Sequence, residues 1–254
     1  MTSSSRQFDE LGQIYEESSD MAFRQRLEFP TVLGHLGDLA HLDVLDFGCG
    51  SGVYTRLLAR RGARRVVGLD ASEGMVDHCR RREEDDRLGV EYVTGPLPDR
   101  LRGAFDVVLG VYVLPHATTY EELVGMCRDV AAALRPGGRF LTLPIHPELH
   151  PDPEHHYERY GFRLEVGERR DGAPVGFSFT VGEHSAAFTA RYWTAASLER
   201  ALAEAGFGAP RWEAHRLADD PGAGPGDDFW APYLAHPHAA ILDARKEREP
   251  AAGA

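Results

Sequence analysis

Three glycines at alternate positions, Gly48, Gly50 and Gly52, lie in the stretch LDFGCGSG, directly after an apolar run. Glycine permits positive φ and lets a ligand approach the main chain closely, at a cost of about 0.5–1 kcal/mol relative to alanine inside regular structure. The helix predicted after this loop would direct unpaired N–H groups and the positive end of its dipole at the same place. The pattern therefore predicts a loop that binds a nucleotide-like ligand.

Two aspartates accompany this loop. Asp46 precedes the glycines, where it could bind an amine or a backbone N–H, and Asp70 ends the next predicted strand. An acid at the end of that strand can accept both hydroxyls of a ribose. The spacing G-x-G-x-G differs from the G-x-G-x-x-G of dinucleotide-binding folds. Two carboxylates also suit a cationic cofactor better than a pyrophosphate.

The elements that must position these residues alternate between strand and helix. Ser72 is predicted to cap the second helix, and Pro136 and Gly137 to end the third. Such alternation predicts a parallel sheet covered on both faces. Apolar runs predict strands at 41–47, 63–70, 89–94, 104–113 and 139–145, and amphipathic segments predict helices at 53–62, 72–83 and 119–138.

The alternation stops after residue 145. Three short runs with turn residues between them predict an antiparallel meander, inserted at about 146–192 as a lid. A helix at 194–207, capped by Thr194, and closing strands at 210–217 and 239–246 come after it. The predicted fold is α/β: a Rossmann-like, seven-stranded, mostly parallel sheet with helices on both faces. Residues 1–40 are predicted to form an N-terminal helical lid segment, and 41–254 the main domain.

Composition restricts the partners. The chain has 254 residues, with 40 Asp and Glu against 28 Lys and Arg, so its formal net charge is −12. Such a surface repels phosphate backbones, which disfavours nucleic acid. No stretch of 18 apolar residues predicts a membrane span. Three cysteines without a C-x-x-C pair fit a reducing cytoplasm. We expect a cytoplasmic monomer or homodimer with a small-molecule substrate.

The segments VLDFGCGSG, VVGLDAS and LRPGGRF, in this order, resemble the class I S-adenosylmethionine-dependent methyltransferases over about residues 40–145. The resemblance implies S-adenosylmethionine as the cofactor and methyl transfer as the reaction. It also implies that Tyr15 could close over the cofactor and that Arg24 or Arg26 could reach its carboxylate. The positions that match the family's cofactor site are Asp46, Gly48 and Gly50 at the methionine end, Asp70 at the ribose, Ala71, Met75, Gly95, Pro96 and Leu97 at the adenine, and Val111 beneath the sulfonium.

The end of the fourth strand indicates the kind of acceptor. Methyltransferases that act on exocyclic amines of nucleobases carry [DN]-P-P-[YF] there, whereas this chain has VYVLPHA. With the negative surface, this difference favours a small-molecule acceptor. His116 is the candidate general base, although it could instead cap the next helix. Tyr112 could line the acceptor pocket or pack at the strand end.

The lid is rich in aromatic residues. Its segment ERYGFRLE, the helix ending in AGF, and DDFWAPYLAHP look like small-molecule methyltransferases of bacterial secondary metabolism, such as the toxoflavin-type N-methyltransferases. This resemblance implies a planar nitrogen heterocycle as acceptor, with Trp230 near the pocket. Tyr157 and Trp193 are further candidates for substrate binding. The histidine-rich stretch HPELHPDPEHH fits no metal-ligand spacing and is interpreted as an exposed connector, so no metal is expected.

Three alternatives stay open. An O- or C-methyltransferase would use His116 as its base. A nicotinamide-dependent oxidoreductase is disfavoured by the glycine spacing. A protein that binds S-adenosylmethionine in a non-methylating role would bind the cofactor tightly without transferring its methyl group.

Overall fold

The predicted ligand-binding edge belongs to a seven-stranded sheet. The computed structural model describes residues 12–219 and 225–248. The strands of this sheet are β1 Asp43–Phe47, β2 Arg65–Asp70, β3 Glu91–Thr94, β4 Phe105–Val111, β5 Leu134–Leu143, β9 Arg211–Glu213 and β10 Ile241–Arg245. They lie in the order β3-β2-β1-β4-β5-β10-β9. Strands β1 to β5 are parallel, and β10 runs antiparallel to both of its neighbours.

The strand register brings the candidate residues to one edge. Asp46 in β1 pairs with Gly68 in β2 and with Leu109 in β4. Because all three strands run in the same direction, the residues at their carboxyl ends meet at one edge of the sheet. Asp46, Asp70 and Val111 therefore lie on neighbouring strands at this edge.

Helices cover both faces of the sheet. Val44 and Leu45, successive residues of β1, belong to two different apolar cores, one on each face. This arrangement confirms the predicted Rossmann-like layers. The helices are α1 Gly12–Glu17, α2 Phe29–Leu36, α3 Val53–Arg60, α4 Glu73–Asp86, α5 Tyr120–Ala133, α6 Pro153–Glu158, α7 Ala195–Glu204 and α8 Asp227–Ala235, with a π-helical turn at Arg24–Glu28 and short 3₁₀ turns at Ser18–Asp20, Asp99–Leu101 and Leu114–His116.

The predicted caps are present. The Ser72 hydroxyl accepts a hydrogen bond from the Met75 N–H at 3.2 Å, at the start of α4. The Thr194 hydroxyl accepts one from the Ser197 N–H at 3.3 Å, at the start of α7. Both side chains satisfy donors that the first turn of a helix leaves unpaired.

The predicted meander is a separate three-stranded antiparallel sheet in the order β6-β7-β8. Its strands are β6 Phe162–Val166, β7 Pro174–Val181 and β8 His184–Arg191, and they lie in the chain between β5 and α7. One face of this sheet packs into a third core, rich in aromatic residues, that also receives Phe23 and Leu27 from the N-terminal segment and Trp230 from α8. The inserted antiparallel sheet is thus confirmed.

The structure departs from the predicted elements in three places. Helix α5 ends at Ala133, and β5 already begins at Leu134. The residue before a proline is biased toward extended backbone, so Pro136 moves the boundary upstream of its own position. The histidine-rich connector contains α6, which Asp152 caps. Helix α8, with Pro232 inside it, was not predicted at all.

The first eleven residues of the predicted N-terminal segment, and residues 220–224 in the Gly/Pro-rich stretch between the two predicted closing strands, lie outside the described residues. From Gly12 onward the N-terminal segment contains α1, the π-helical turn and α2. Pro30 lies in α2 just after the π-helical turn; it has no N–H to donate to the preceding turn, and the Arg26 carbonyl accepts the Ala218 N–H. The boundary at residue 40 stays a prediction.

Candidate active site

The glycine loop connects β1 to α3 in a left-handed conformation. Gly48, Gly50 and Gly52 have φ values of 72°, 52° and 78°. The N–H groups of Gly48 and Cys49 both donate to the Leu69 carbonyl of β2, at 2.7 and 3.0 Å. These bonds tie the loop to the end of the neighbouring strand, so the loop backbone is fixed at the carboxyl edge.

The glycines serve two different purposes. A Cβ at Gly48 would lie 2.7 Å from Cγ2 of Val113, and one at Gly52 would lie 2.8 Å from the Tyr92 hydroxyl. At Gly50 and at Gly95, in contrast, an added Cβ would meet nothing within 4 Å. Gly48 and Gly52 therefore allow close packing, whereas Gly50 and Gly95 face open space above the sheet edge.

Asp70 links the glycine loop to α4. One carboxylate oxygen accepts the Gly50 N–H and the other accepts the Ser72 N–H, each at 2.8 Å. The Gly95 N–H donates to the Asp70 carbonyl at 2.9 Å, so the loop after β3 closes beside the same residue. Each oxygen of a carboxylate can accept more than one hydrogen bond. Asp70 is half-buried and can accept further hydrogen bonds from a ligand's hydroxyls.

Asp46 occupies a different environment, because only 2% of it is exposed. Its Oδ2 accepts a hydrogen bond from the Thr55 hydroxyl at 2.7 Å. Burial raises the pKa of Asp46 to about 7, the negative charge of Asp70 adds to this effect, and the Thr55 hydrogen bond opposes it. A cationic ligand at this place would stabilise the ionised form of Asp46.

These residues fit the cofactor that the sequence resemblance implies. S-adenosylmethionine carries an amine, a ribose diol and a flat adenine ring. The edge offers a buried carboxylate, an accessible carboxylate and open space over two glycines. Of the predicted adenine-site residues, Ala71 and Pro96 are exposed, Gly95 is half-buried, and Met75 and Leu97 are buried. Val111, half-buried, ends β4, which lies on the other side of β1 from these residues.

Arg24 and Arg26 have separate partners. The Arg24 guanidinium donates to Glu28 at 2.8 Å and to the Ser18 hydroxyl at 3.0 Å. It lies near the ring of Tyr54, at the start of α3. Arg26 instead pairs with Asp227 of α8 and donates to the Ala218 carbonyl. Of the two, Arg24 is the one beside the helix that begins after the glycine loop.

Tyr112, directly after β4, has a left-handed backbone with φ of 57°. Its hydroxyl lies 2.5 Å from Oε2 of Glu28 and 3.1 Å from Nε2 of His238. Glu28 also accepts a hydrogen bond from the Tyr54 hydroxyl at 3.0 Å. Left-handed backbone in a non-glycine residue is strained, and such strain clusters at functional sites.

His116 ends the 3₁₀ turn at Leu114–His116, shortly after Tyr112. Its ring is 6.1 Å from the ring of Phe188, which projects from β8 of the lid. Burial lowers the pKa of His116 to about 4, so its imidazole is neutral at pH 7.

A continuous set of ring contacts joins the lid to these strand ends. The ring centres of Tyr15 and His116 each lie 6.1 Å from that of Phe188. The Phe188 ring stacks on the Phe177 ring, with 5.0 Å between their centres. Phe177 in turn lies 6.2 Å from His238, and His238 lies 5.6 Å from Tyr112. We call the half-buried members Tyr15, Tyr112, His116, Phe177 and Phe188 the aromatic wall.

The other predicted substrate residues lie deeper or elsewhere. Tyr157 and Trp230 are fully buried in the lid core, where Tyr157 stacks on Phe162 and Trp230 on Tyr160. Trp193 belongs to the core beneath α5 and α7, with its ring 6.4 Å from that of Tyr120. The structure therefore does not bring Trp193 together with the aromatic wall.

Sequence reasoning missed Glu28, His238 and Tyr233. Glu28 is an acid within the otherwise apolar stretch LEFP, and His238 precedes the apolar run AAIL. An isolated ionisable residue in an apolar run was a usable signal at both positions, because such groups are rarely buried without a partner. Among the described residues, no group of three or more His, Cys, Asp or Glu could hold a metal ion. None of the helices described is long and apolar enough to span a membrane.

Known proteins resemble this chain in sequence and in fold. A family profile described as a methyltransferase domain matches residues 44–138, from β1 into β5. A ubiquinone biosynthesis O-methyltransferase of Acinetobacter baylyi is 26% identical over 185 residues, which cover 65% of this chain and 76% of the relative.

Two solved structures share the fold. An S-adenosylmethionine-dependent methyltransferase from Mesorhizobium loti has a TM-score of 0.60 at 22% identity, covering 90% of this chain and 99% of the other. The CcbJ methyltransferase from Streptomyces caelestis has a TM-score of 0.63 at 18% identity, covering 97% and 100%.

Proposed function

We propose that this class I S-adenosylmethionine-dependent methyltransferase methylates a small planar molecule at a ring nitrogen of a heterocycle, in bacterial secondary metabolism. The observation that carries the acceptor class is the aromatic wall, which combines Tyr112 and His116, shortly after β4, with Phe177 and Phe188 of the inserted sheet. Flat ligands stack on aromatic side chains. The half-buried rings of Phe177 and Phe188 supply such a surface from the lid.

Each part of the cofactor has a candidate partner in this chain. When bound, S-adenosylmethionine supplies an electrophilic methyl group on a positively charged sulfur. Asp46 would hold the amine, Asp70 the ribose hydroxyls and Arg24 the carboxylate, because each offers the opposite charge or a hydrogen-bond acceptor. The remaining candidates are Gly48 and Gly50 for the backbone approach, Ala71, Met75, Gly95, Pro96 and Leu97 for the adenine, Val111 beneath the sulfur, and Tyr15 as a cover.

The protein's part in the reaction is to position the acceptor, exclude water and accept a proton. Aligned reactants can remove roughly 7–11 kcal/mol of barrier. A ring N–H must lose its proton as its nitrogen gains the methyl group. The imidazole of His116 is neutral at pH 7 and is the candidate acceptor of that proton, but burial, which lowers its pKa to about 4, also makes it a weaker base than a solvated histidine.

A hydroxyl acceptor is the second candidate. The relative from Acinetobacter baylyi is named an O-methyltransferase, and a hydroxyl must also lose a proton, which His116 could take. Nitrogen and oxygen acceptors would therefore use the same base and differ in the product.

The test uses S-adenosylmethionine with a trideuterated methyl group. The enzyme is incubated with it and a small-molecule extract of the host, and labelled products are sought by mass spectrometry. We expect a labelled planar heterocycle whose fragments retain the label on nitrogen. A label on oxygen would favour the second candidate. No labelled product, with cofactor binding measured separately, would contradict methyl transfer to a small molecule.

A further inference from the structure

Four buried or half-buried side chains form one hydrogen-bonded series. It runs from the Tyr233 hydroxyl to Nδ1 of His238 at 2.6 Å, from Nε2 of His238 to the Tyr112 hydroxyl at 3.1 Å, and from there to Oε2 of Glu28 at 2.5 Å. Glu28 and His238 are each 2% exposed, and Tyr233 is 1% exposed. We call these four residues the Glu28 relay.

Hydrogen-bond chemistry fixes the direction of the Glu28 relay. Oε1 of Glu28 accepts from Arg24 and Tyr54, and the carboxylate can donate nothing. The Tyr112 hydroxyl must then donate its single proton to Oε2. Its oxygen accepts from His238, so Nε2 carries the imidazole proton and Nδ1 accepts from Tyr233. The geometry thus assigns His238 as the neutral Nε2–H tautomer.

The Glu28 relay joins four parts of the fold that are far apart in the chain. Glu28 ends the π-helical turn of the N-terminal segment, Tyr112 comes directly after β4, His238 precedes β10 and Tyr233 lies in α8. The polar groups of all four residues are shielded from water. Loss of a hydrogen-bond partner by any of them would therefore destabilise the fold.

The backbone at Tyr112 sets the course of the chain into the site. A Cβ added at Gly48 would lie 2.7 Å from Cγ2 of Val113, so Val113 packs directly on the glycine loop. The His116 N–H donates to the Val113 carbonyl at 3.0 Å, which starts the turn that carries the His116 ring. A left-handed residue such as Tyr112 keeps its strained conformation only where its surroundings hold it.

We propose that Glu28 and His238 are positioning residues of the methyl-transfer reaction: they hold the Tyr112 hydroxyl, and through it the left-handed turn that sets Val113 on the glycine loop and His116 at the aromatic wall. This inference rests on the proposed function. Neither residue is required to touch cofactor or acceptor, since both act through Tyr112.

Several groups surround His238. Tyr112 and Tyr233 bond its two nitrogens, the Tyr157 ring lies 5.9 Å away, and Phe23 and Phe162 pack on it. Burial, with His215 and His146 nearby, holds the pKa of His238 well below its usual range. The imidazole is therefore neutral, as the tautomer assignment requires.

The first test reads the tautomer of His238 by nitrogen NMR of the full chain labelled at histidine, with His238→Gln to assign its signals. In the wild type, Nε2 should give the protonated, pyrrole-like signal. In Glu28→Gln, the amide oxygen stays with Arg24 and Tyr54, so its NH₂ group faces Tyr112 and donates. The relay then reverses, and the two nitrogen signals of His238 should exchange character.

The second test measures labelled methyl transfer from trideuterated S-adenosylmethionine to the host extract. Tyr233→Phe and Glu28→Gln should each lower the initial rate about 10- to 100-fold, since small misplacements at a reacting centre have effects of this size. Affinity of Tyr233→Phe for S-adenosylhomocysteine should stay within about threefold of the wild type, a change well under roughly 1.4 kcal/mol, because this variant keeps the Arg24–Glu28 pair. Tyr192→Phe is the matched control, because it removes another hydroxyl of the lid core, bonded to the Pro147 carbonyl at 2.7 Å, and should leave the rate unchanged.

Two results would overturn the inference. One is an unchanged His238 tautomer in Glu28→Gln. The other is a wild-type rate of transfer in both relay variants. Absence of transfer by the wild type itself would contradict the proposed function instead, and the NMR experiment would still decide whether the relay has the assigned direction.

Discussion

At the residue scale, two carboxylates of the same chemical type do different work because their surroundings differ. Asp70 is half-buried and bonded to two backbone N–H groups, whereas Asp46 is buried with one hydroxyl partner. The pKa of Asp46, raised to about 7, makes it the residue whose charge depends on a ligand. Its ionised form needs a cation close by.

This environment predicts a pH-dependent affinity. A cationic amine binds the ionised form of Asp46, so affinity for S-adenosylhomocysteine should be constant above the Asp46 pKa of about 7 and fall below it. Well below that pKa the loss should approach about tenfold per pH unit, because the fraction of ionised carboxylate falls by that factor. Titration calorimetry from about one and a half pH units below that pKa to just above it measures the slope. In Asp46→Asn the affinity should be weaker and flat with pH; an equal slope in both proteins would show that another group titrates.

The sequence alone predicted which residues belong to the candidate site where their position follows from the local sequence pattern. The glycines, Asp46 and Asp70 stand next to predicted strand ends, and parallel pairing was enough to place them at one edge. The environment of each carboxylate was not predictable, since the Thr55 contact and the burial of Asp46 depend on packing.

At the element scale, the candidate ribose-binding residue Asp70 is held by the end of one strand and the start of one helix. Asp70 ends β2, and Ser72 caps α4 two residues later. Thr194 caps α7 in the same way, far along the chain from the cofactor edge, and α7 packs into the core beneath α5. Removing each cap in turn therefore distinguishes an effect on protein stability from an effect on ligand binding.

We expect Ser72→Ala and Thr194→Ala each to lower the free energy of unfolding by about 1 kcal/mol, the usual effect of losing an N-cap hydroxyl. Urea denaturation measures this change. Alanine at position 72 keeps the backbone N–H that bonds Asp70, but loss of the cap loosens the first turn of α4, which holds this N–H in place. Only Ser72→Ala should therefore weaken S-adenosylhomocysteine binding as well. Equal binding in the two variants would mean that the start of α4 does not position Asp70.

The sequence predicted the strands of both sheets, but it did not predict two helices whose segments contain proline, α6 and α8. The meander strands β6 to β8 were found from their apolar runs and turns. Helix α8 was missed because Pro232 lies inside it, and proline normally ends a helix. Helix α6 was missed because prolines, acids and histidines hid a short helix capped by Asp152.

At the scale of the whole molecule, the site is assembled from segments that the chain keeps apart. Tyr15 comes from the N-terminal segment, Tyr112 and His116 come after β4, Phe177 and Phe188 come from the lid, and His238 precedes β10. Sequence reasoning predicted the lid and its aromatic character. It could not predict that Phe177 and Phe188 would join the aromatic wall while Trp193 would pack in the core beneath α5 and α7, because that depends on which face of each element packs inward.

Our central claim is that the carboxyl edge of the sheet binds S-adenosylmethionine through Asp70. Calorimetric titration of S-adenosylhomocysteine into the wild type and Asp70→Asn tests it most directly. Asp106→Asn is the control, since Asp106 lies near the start of β4 and pairs with Arg135 at the opposite edge of the sheet. We predict one site per chain in the wild type and in Asp106→Asn, with affinity at least about tenfold weaker in Asp70→Asn, as loss of a charge-assisted hydrogen bond implies. Equal affinity in all three proteins, or no binding by the wild type, would contradict this claim.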